Sequence, residues 1–478
     1  MNINTVLRIL QRVITISAIA LIFCVALAWH YDEPTIPFLL SFVAAAMLVV
    51  ISFLVSKGTK VVEMGKKEAY VSVSAAWVII SMIGALPYLI SGYIPNIIDA
   101  YFESVSGYTT TGSSILTDIE ALPKSLLFWR SLTHWIGGIG IIVLVIIVSP
   151  SLKIGNYNLF TAESSLKDKI RPRMKAMGYR LLTIYLLLTA IEAILLFLGD
   201  MTLFDSVCHS FGTVATGGFS TQNASIANYS PYIQYVIIIF MVLAGTNFVI
   251  HYYLFLRDVA HIRKNDEFRF YITVILVLGL AVTAVLYFQT PRSLELSFRD
   301  SFFQTVSIIT CTGFATSDYL LWPKLGTLLV FGMLFIGGST GSTSGGIKMA
   351  RHLVALKNIK RLLQKSVHPK GIFTVKLNGN ILSEDNNSSL MTFIITYLLV
   401  FAIGSILLII TGLDGATSTS AIATAMGGIG PGFGAVGPMS NFYLLPAISK
   451  LIITVFMLMG RLEIYSFLLI FTPMFWKK

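Results

Sequence analysis

Four short tracts in this 478-residue chain combine threonine, glycine and small residues in a way that suits ion chemistry rather than covalent catalysis. They end at Gly112, Gly217, Gly313 and Gly430, and the pairs before those glycines are Thr110 and Thr111, Ala215 and Thr216, Cys311 and Thr312, and Gly428 and Ile429. A cation that leaves water needs replacement oxygens, and rings of backbone carbonyls supply them without net charge. Neighbouring carbonyls point the same way only if the backbone takes unusual dihedrals, including positive φ, which glycine reaches freely. Hydroxyl and carbonyl oxygens suit a loosely held alkali ion. A divalent-cation pore would carry acidic rings, and these tracts hold no Asp or Glu.

One such tract alone reads equally well as a turn between helices. Four in register argue for a shared purpose. Asp99 to Gly112 matches Asp300 to Gly313 with thirteen residues from acid to glycine in each. Phe204 to Gly217 repeats the pattern with its acid, Asp205, one place later, and Thr417 to Gly430 keeps the spacing without the acid. The apolar run before each glycine is about ten residues, too short to cross a bilayer and suited to a re-entrant helix. Non-helical backbone at membrane depth is tolerated where it is buried in protein or lines a water-filled cavity, so four such turns around one axis imply a pore.

The elements that must hold these turns are membrane helices. Hydrophobic residues make up 55% of the chain and charged residues 12%, against roughly a quarter charged in soluble proteins. Windows such as Val13 to Trp29, Phe38 to Val55, Tyr70 to Ile90, Leu181 to Leu198, Ile233 to Val249 and Met391 to Ile410 are long enough to span. The first is read as a retained span rather than a cleaved signal. The net charge of +11 comes from alternate loops, around Lys57 to Lys67, Lys153 to Lys175, Arg257 to Arg269 and Lys348 to Lys370, not from one nucleic-acid-binding face. The positive-inside rule makes those loops and both termini cytoplasmic and puts all four turns outside. The expectation is an all-α polytopic protein with ten transmembrane helices. Two leading helices occupy 1–66, and four pseudosymmetric helix, pore-loop, helix repeats occupy 67–165, 166–265, 266–370 and 371–478.

A Gly/Ser/Thr run, Gly337 to Gly346, interrupts the second span of the third repeat. It is no phosphate cradle, because Ile347 separates the last glycine from Lys348 and no Ser or Thr follows the lysine. It reads as an intramembrane gate or as a passive kink. Arg461 lies deep in the last apolar stretch and either faces the pore or pairs with Glu463 or another buried acid. Glu103 either draws cations to the outer mouth or packs and caps a short helix. His134, His209 and His251 read as satisfied interior residues, and Glu192 as internally paired. Cys24, Cys208 and Cys311 show no disulfide or zinc spacing. No residue set argues for an enzyme, and no cofactor motif is present.

Several stretches resemble the Trk/Ktr/HKT superfamily of potassium transporters, in particular the bacterial Trk-type membrane subunit. They are Phe102 to Ser113 (FESVSGYTTTGS), Trp135 to Leu144 (WIGGIGIIVL), Thr213 to Phe219 (TVATGGF), Gly337 to Lys348 (GGSTGSTSGGIK) and Gly430 to Gly432 (GPG). The resemblance implies that K+ binds at the twelve tract residues named above. It implies a gate built from Gly337, Gly338, Gly341, Gly345, Gly346, Lys348 and Arg461. It further implies a homodimer in the bacterial cytoplasmic membrane, a cytosolic ring of nucleotide-binding regulatory subunits, and K+ selectivity with glycine at Gly112, where a serine marks sodium-preferring relatives. Anionic membrane lipid accounts for the basic loops equally well. Sodium-permeable and proton- or sodium-coupled transport stay open, and a membrane-embedded lipid enzyme is a distant alternative.

Overall fold

The computed structural model describes residues 1–57, 65–152 and 170–477, without the side chains of 66, 141–152 and 170–177. The basic segment Ser151 to Met177 and the boundary at 165 therefore lie largely outside the described residues, as do Lys60 and Lys478. Helices α1 (Ile3–His30) and α2 (Ile36–Ser56) pack on each other at the N-terminus. There follow α3 (Lys66–Ser91), α4 (Ile97–Tyr108) and α5 (Lys124–Leu152), then α6 (Ile170–Leu198), α7 (Leu203–Val214), α8 (Pro231–Ala244) and α9 (Phe248–Phe255). A six-residue helix, α10 (Val259–Lys264), precedes α11 (Asp266–Gln289), α12 (Leu294–Ile309), α13 (Lys324–Met333) and α14 (Met349–Val367). The chain ends with α15 (Glu384–Ile410), α16 (Gly415–Gly427), α17 (Ala447–Arg461) and short turns beyond.

Among the described residues, six helices are long and apolar enough to cross a membrane, and two bent pairs bring the number to eight. The chain is a multi-pass membrane protein. The window Ile233 to Val249 is not one straight span: it breaks between α8 and α9 by 101°, at Gly245, Thr246 and Asn247. A second break of 111° follows α17, where Glu463 and Ile464 take φ of +53° and +48°. Among the described residues, the one departure from all-α structure is a two-residue antiparallel hairpin, Lys376–Leu377 with Asn380–Ile381, turned by Asn378-Gly379 with both φ positive.

The four short helices α4, α7, α12 and α16 start for a common reason. Asn96 Oδ1 accepts from Ile98 N, Thr202 Oγ1 from Asp205 N, Ser293 Oγ from Leu296 N and Asp414 Oδ2 from Thr417 N, at 2.8, 3.1, 3.2 and 3.0 Å. Each cap satisfies an amide that the first turn leaves orphaned. The helices are 12, 12, 16 and 13 residues long, and their second halves are almost wholly buried. The acid missing at Thr417 in the fourth is thus present three residues earlier, as the cap Asp414.

Candidate ion-conduction site

Each short helix ends in the same backbone sequence. Thr110, Thr216, Cys311 and Gly428 take φ of +53°, +53°, +58° and +67°, and two residues later Gly112, Gly218, Gly313 and Gly430 take +82°, +78°, +84° and +95°. The residue between donates its amide five places back: Thr111 to Ser106 O, Gly217 to Gly212 O, Thr312 to Ser307 O and Ile429 to Thr424 O, at 2.7–2.9 Å. These two patterns fix the equivalences. In the second turn, Thr216, Gly217 and Gly218 correspond to Thr110, Thr111 and Gly112. The expected set Ala215, Thr216 and Gly217 is one residue early, and the terminal glycine is Gly218. Asp205 is then thirteen residues from its glycine, like Asp99 and Asp300.

The turns close on one another head to tail. A Cβ placed on Gly112 would fall within 3.0 Å of Gly217 O, one on Gly218 of Thr312 O, one on Gly313 of Ile429 O, and one on Gly430 of Thr111 O, the last at 2.8 Å. Backbone cannot yield as a flexible side chain can, so glycine is required both by this approach and by its positive φ. The limbs after the turns are stitched in the same cyclic order. Arg130 donates to Ser220 O at 3.1 Å, Ile226 N to Ala315 O at 3.0 Å, Tyr319 Oη to Gly432 O at 2.7 Å, and Phe442 N to Ser114 O at 2.8 Å.

Glu103 takes the packing role and not the mouth role. It is fully buried, pairs with Arg130 at 2.9 Å, and accepts from Ser114 Oγ and Ile115 N. Arg130 also lies 4.0 Å over the Phe219 ring, so one buried pair braces the first two turns from behind. On α16, outside the spans, the hydroxyl and amide of Thr417 hold the Asp414 carboxyl below the usual carboxylate range.

The Gly/Ser/Thr run leaves α13 and passes against the ends of the short helices and these turns. Gly337 N donates to Ile347 O at 2.9 Å, and Met349 N to Gly338 O at 3.1 Å. Ser339 N reaches Gly245 O at 2.9 Å, and Phe248 N reaches Gly341 O at 3.2 Å, so this break and the one between α8 and α9 share hydrogen bonds. Thr343 Oγ1 donates to Val214 O and Ala244 O at 3.1 and 3.3 Å. A Cβ on Gly345 would run into Gly427 O, and one on Gly346 would lie 3.7 Å from Cys311 Sγ. Lys348 is buried and bonds Ser344 O, and Glu267 Oε1 accepts from Thr340 N and Ala350 N.

Arg461 is buried and donates to Thr343 O at 3.1 Å and to Gly137 O at 2.9 Å. Its expected alternative partner, Glu463, pairs instead with Arg351 at 2.6 Å. One guanidinium therefore clamps the Gly/Ser/Thr run to α5. Of the histidines, His209 uses both ring nitrogens, on Asp205 O and Ser220 Oγ, and His251 bonds Leu243 O. His134 is only half satisfied: Nδ1 bonds Gly107 O, and Nε2 has no partner among the described residues. Glu192 is fully buried in α6, where its carboxyl lies against the Thr213 side chain of α7 and no cation pairs with it among the described residues.

A family model described as TrkH, cation transport protein, matches residues 39–478. The chain belongs to this TrkH family of cation transport proteins. It is a membrane transport protein and not an enzyme. It is 38% identical over 424 residues to the Trk system potassium uptake protein TrkH of Escherichia coli (strain K12), covering 87% of each chain. It is 34% identical to the protein of the same name from Vibrio parahaemolyticus over 100% of each chain. It is also 37% identical to the Trk system potassium uptake protein TrkI of Halomonas elongata, over 86% of this chain and 84% of that one. The crystal structure of the potassium transporter TrkH from Vibrio parahaemolyticus superposes with a TM-score of 0.89 at 32% identity, over 100% of both chains.

Sequence reading missed Gly218, the brace at Arg130 and the breaks at Gly245 and Glu463. Gly218 was readable from the thirteen-residue spacing, and the first break from Gly245-Thr246-Asn247, a helix stop followed by a cap. Nothing in the sequence marks Ile464 as a positive-φ residue, because β-branched side chains avoid that conformation.

Proposed function

We propose that this TrkH-family protein takes up K+ across the bacterial cytoplasmic membrane through a filter formed by 110–112, 216–218, 311–313 and 428–430. One observation carries the reading: four turns with matching alternation of positive φ close head to tail into a ring. Such a ring presents carbonyls and hydroxyls without fixed charge, as a weakly held alkali ion requires. The family match and the relatives named for potassium uptake support K+ as that ion. In this reading ten membrane crossings form four repeats around one pore, both termini are cytoplasmic, and Gly337 to Gly346 is the gate, held closed by Arg461. Homodimerisation, anionic lipid at the basic loops and a cytosolic nucleotide-binding regulatory ring complete the proposal, since no nucleotide motif lies on this chain. Purified protein in liposomes tests it through uptake of Rb+ and K+ against Na+. Strong preference for K+ and Rb+ is expected, and equal Na+ permeation sinks the filter reading.

A second reading, proton-coupled uptake, is favoured by Glu192. A carboxylate buried in a span beside a threonine hydroxyl, with no cation paired to it among the described residues, is costly as an anion and suits a site that carries a proton. Coupling predicts a reversal potential that follows pH as well as K+, and Glu192→Gln should remove the pH component. A reversal potential blind to pH leaves channel-like conduction.

A further inference from the structure

The four turns differ at their middle residue, which is Thr111, Gly217, Thr312 or Ile429. In the first and third, that residue's hydroxyl lies 2.8 Å from the hydroxyl two places back, Thr109 or Thr310. In the fourth, Ile429 lies over Gly427, where a Cβ would sit 2.9 Å from Ile429 Cδ1. Each of these turns is thus backed by its own middle side chain. The second has Ala215 and Gly217 at the matching places and cannot be backed in this way.

The space is filled from another element. A Cβ on Gly217 would lie 2.5 Å from His134 Cγ and 2.7 Å from His134 Nδ1. His134, on α5, is fully buried, and its Nδ1–H donates to Gly107 O at 2.8 Å, near the end of α4 and just ahead of the first turn. Its ring lies 4.1 Å from that of Phe219, which follows the second turn and carries the Arg130 guanidinium on its other contacts. Behind Ala215, Gly138 of α5 comes so close that a Cβ there would be 3.0 Å from Ala215 Cβ. The imidazole is a wedge between turns one and two, at the seam where Gly112 meets Gly217 O.

We infer that His134 is a positioning residue for ion selection: its imidazole replaces the missing middle side chain of the second turn and sets the width of the ring at that seam. The inference rests on the filter reading. A ring of carbonyls discriminates between alkali ions only while its spacing is held, and packed interiors hold spacing where a void lets it relax. Removing the wedge therefore costs discrimination more than flux.

The test is a swap in full-length protein reconstituted in liposomes, using His134→Ala, Gly217→Thr and the double variant. The readouts are the Rb+ to Na+ uptake ratio and the Tm. His134→Ala should lower the ratio by about tenfold while total cation flux persists, and Gly217→Thr should lose selective uptake through its clash with the ring. The double variant, which gives the second turn the threonine of the first and third, should recover the ratio to within about threefold of wild type, as coupled neighbours do. A folded His134→Ala protein with a wild-type ratio overturns the inference, as does a double variant no better than the worse single one. If His134→Ala alone does not fold, the double variant decides: recovery of Tm without recovery of the ratio marks His134 as packing only and overturns the inference. Loss of selectivity in the wild type itself would instead strike the filter reading.

Discussion

Substituting alanine for Gly218 separates the observed register from the one read off the sequence. Gly218 has a φ of +78°, and a Cβ there meets the Thr312 carbonyl, which belongs to the backbone of the next turn. The dihedral costs roughly 1–2 kcal/mol for an L-residue. Overpacking against a group that cannot rotate away adds roughly 1–3 kcal/mol. Together these give about 2–5 kcal/mol, or some thirtyfold to several thousandfold in any equilibrium that requires the closed ring, at ~1.4 kcal/mol per tenfold. Gly218→Ala should therefore abolish selective Rb+ uptake in liposomes, and no second side-chain change should restore it. Gly112→Ala and Gly313→Ala face the same carbonyl obstacle and should behave alike. Gly217→Ala has no positive φ to satisfy, and the three atoms nearest its added Cβ all belong to the His134 ring, so trimming His134 should relieve it. Wild-type selectivity in Gly218→Ala, with a Gly217→Ala defect that no change at 134 relieves, would refute the register.

Arg461→Ala removes two hydrogen bonds from a charged donor, each worth about 1.5–3 kcal/mol, and should raise Rb+ flux at least about tenfold by releasing Thr343. Unchanged flux with a lowered Tm would reduce Arg461 to a structural role. Glu103→Gln leaves Arg130 without its buried partner and should destabilise by about 3–5 kcal/mol, read as a fall in Tm. An altered salt dependence of uptake at unchanged Tm would restore the mouth role. Asp414→Ala should cost about 1 kcal/mol as a lost cap. The Asp414 carboxyl is depressed in the fold, so its stabilisation is present above the unfolded value of about 3.9 and fades as pH falls through the lower folded one. The Tm gap between wild type and Asp414→Ala should accordingly narrow with acidification, and a gap independent of pH in that range contradicts the assignment.

The apolar membrane helices, the four short helices and the break at Gly337 to Gly346 were legible because each is local: apolar runs long or short, and glycine where a helix should continue. The second turn was misplaced by one residue because Gly217 and Gly218 are adjacent and both satisfy a glycine requirement. The constraint that distinguishes them, the carbonyl of Thr312, lies about a hundred residues away. The fate of Glu103, Arg461 and Glu463 was equally non-local. Arg130, Thr343 and Arg351 claim them from other elements, and a sequence offers Glu463 to Arg461 merely because they are neighbours. The hairpin at Asn378-Gly379 was readable from its turn dipeptide, but two-residue strands carry no alternation to draw attention. From sequence His134 reads as an ordinary interior histidine, because its contact with the second turn depends on the absence of a side chain at Gly217.

The most direct test of the central claim is anomalous diffraction from crystals of the protein grown in Rb+. The account predicts Rb+ density on the axis enclosed by 110–112, 216–218, 311–313 and 428–430, displaced by K+ and not by equal Na+. Rb+ bound elsewhere, with the ring vacant at saturating concentration, would contradict it.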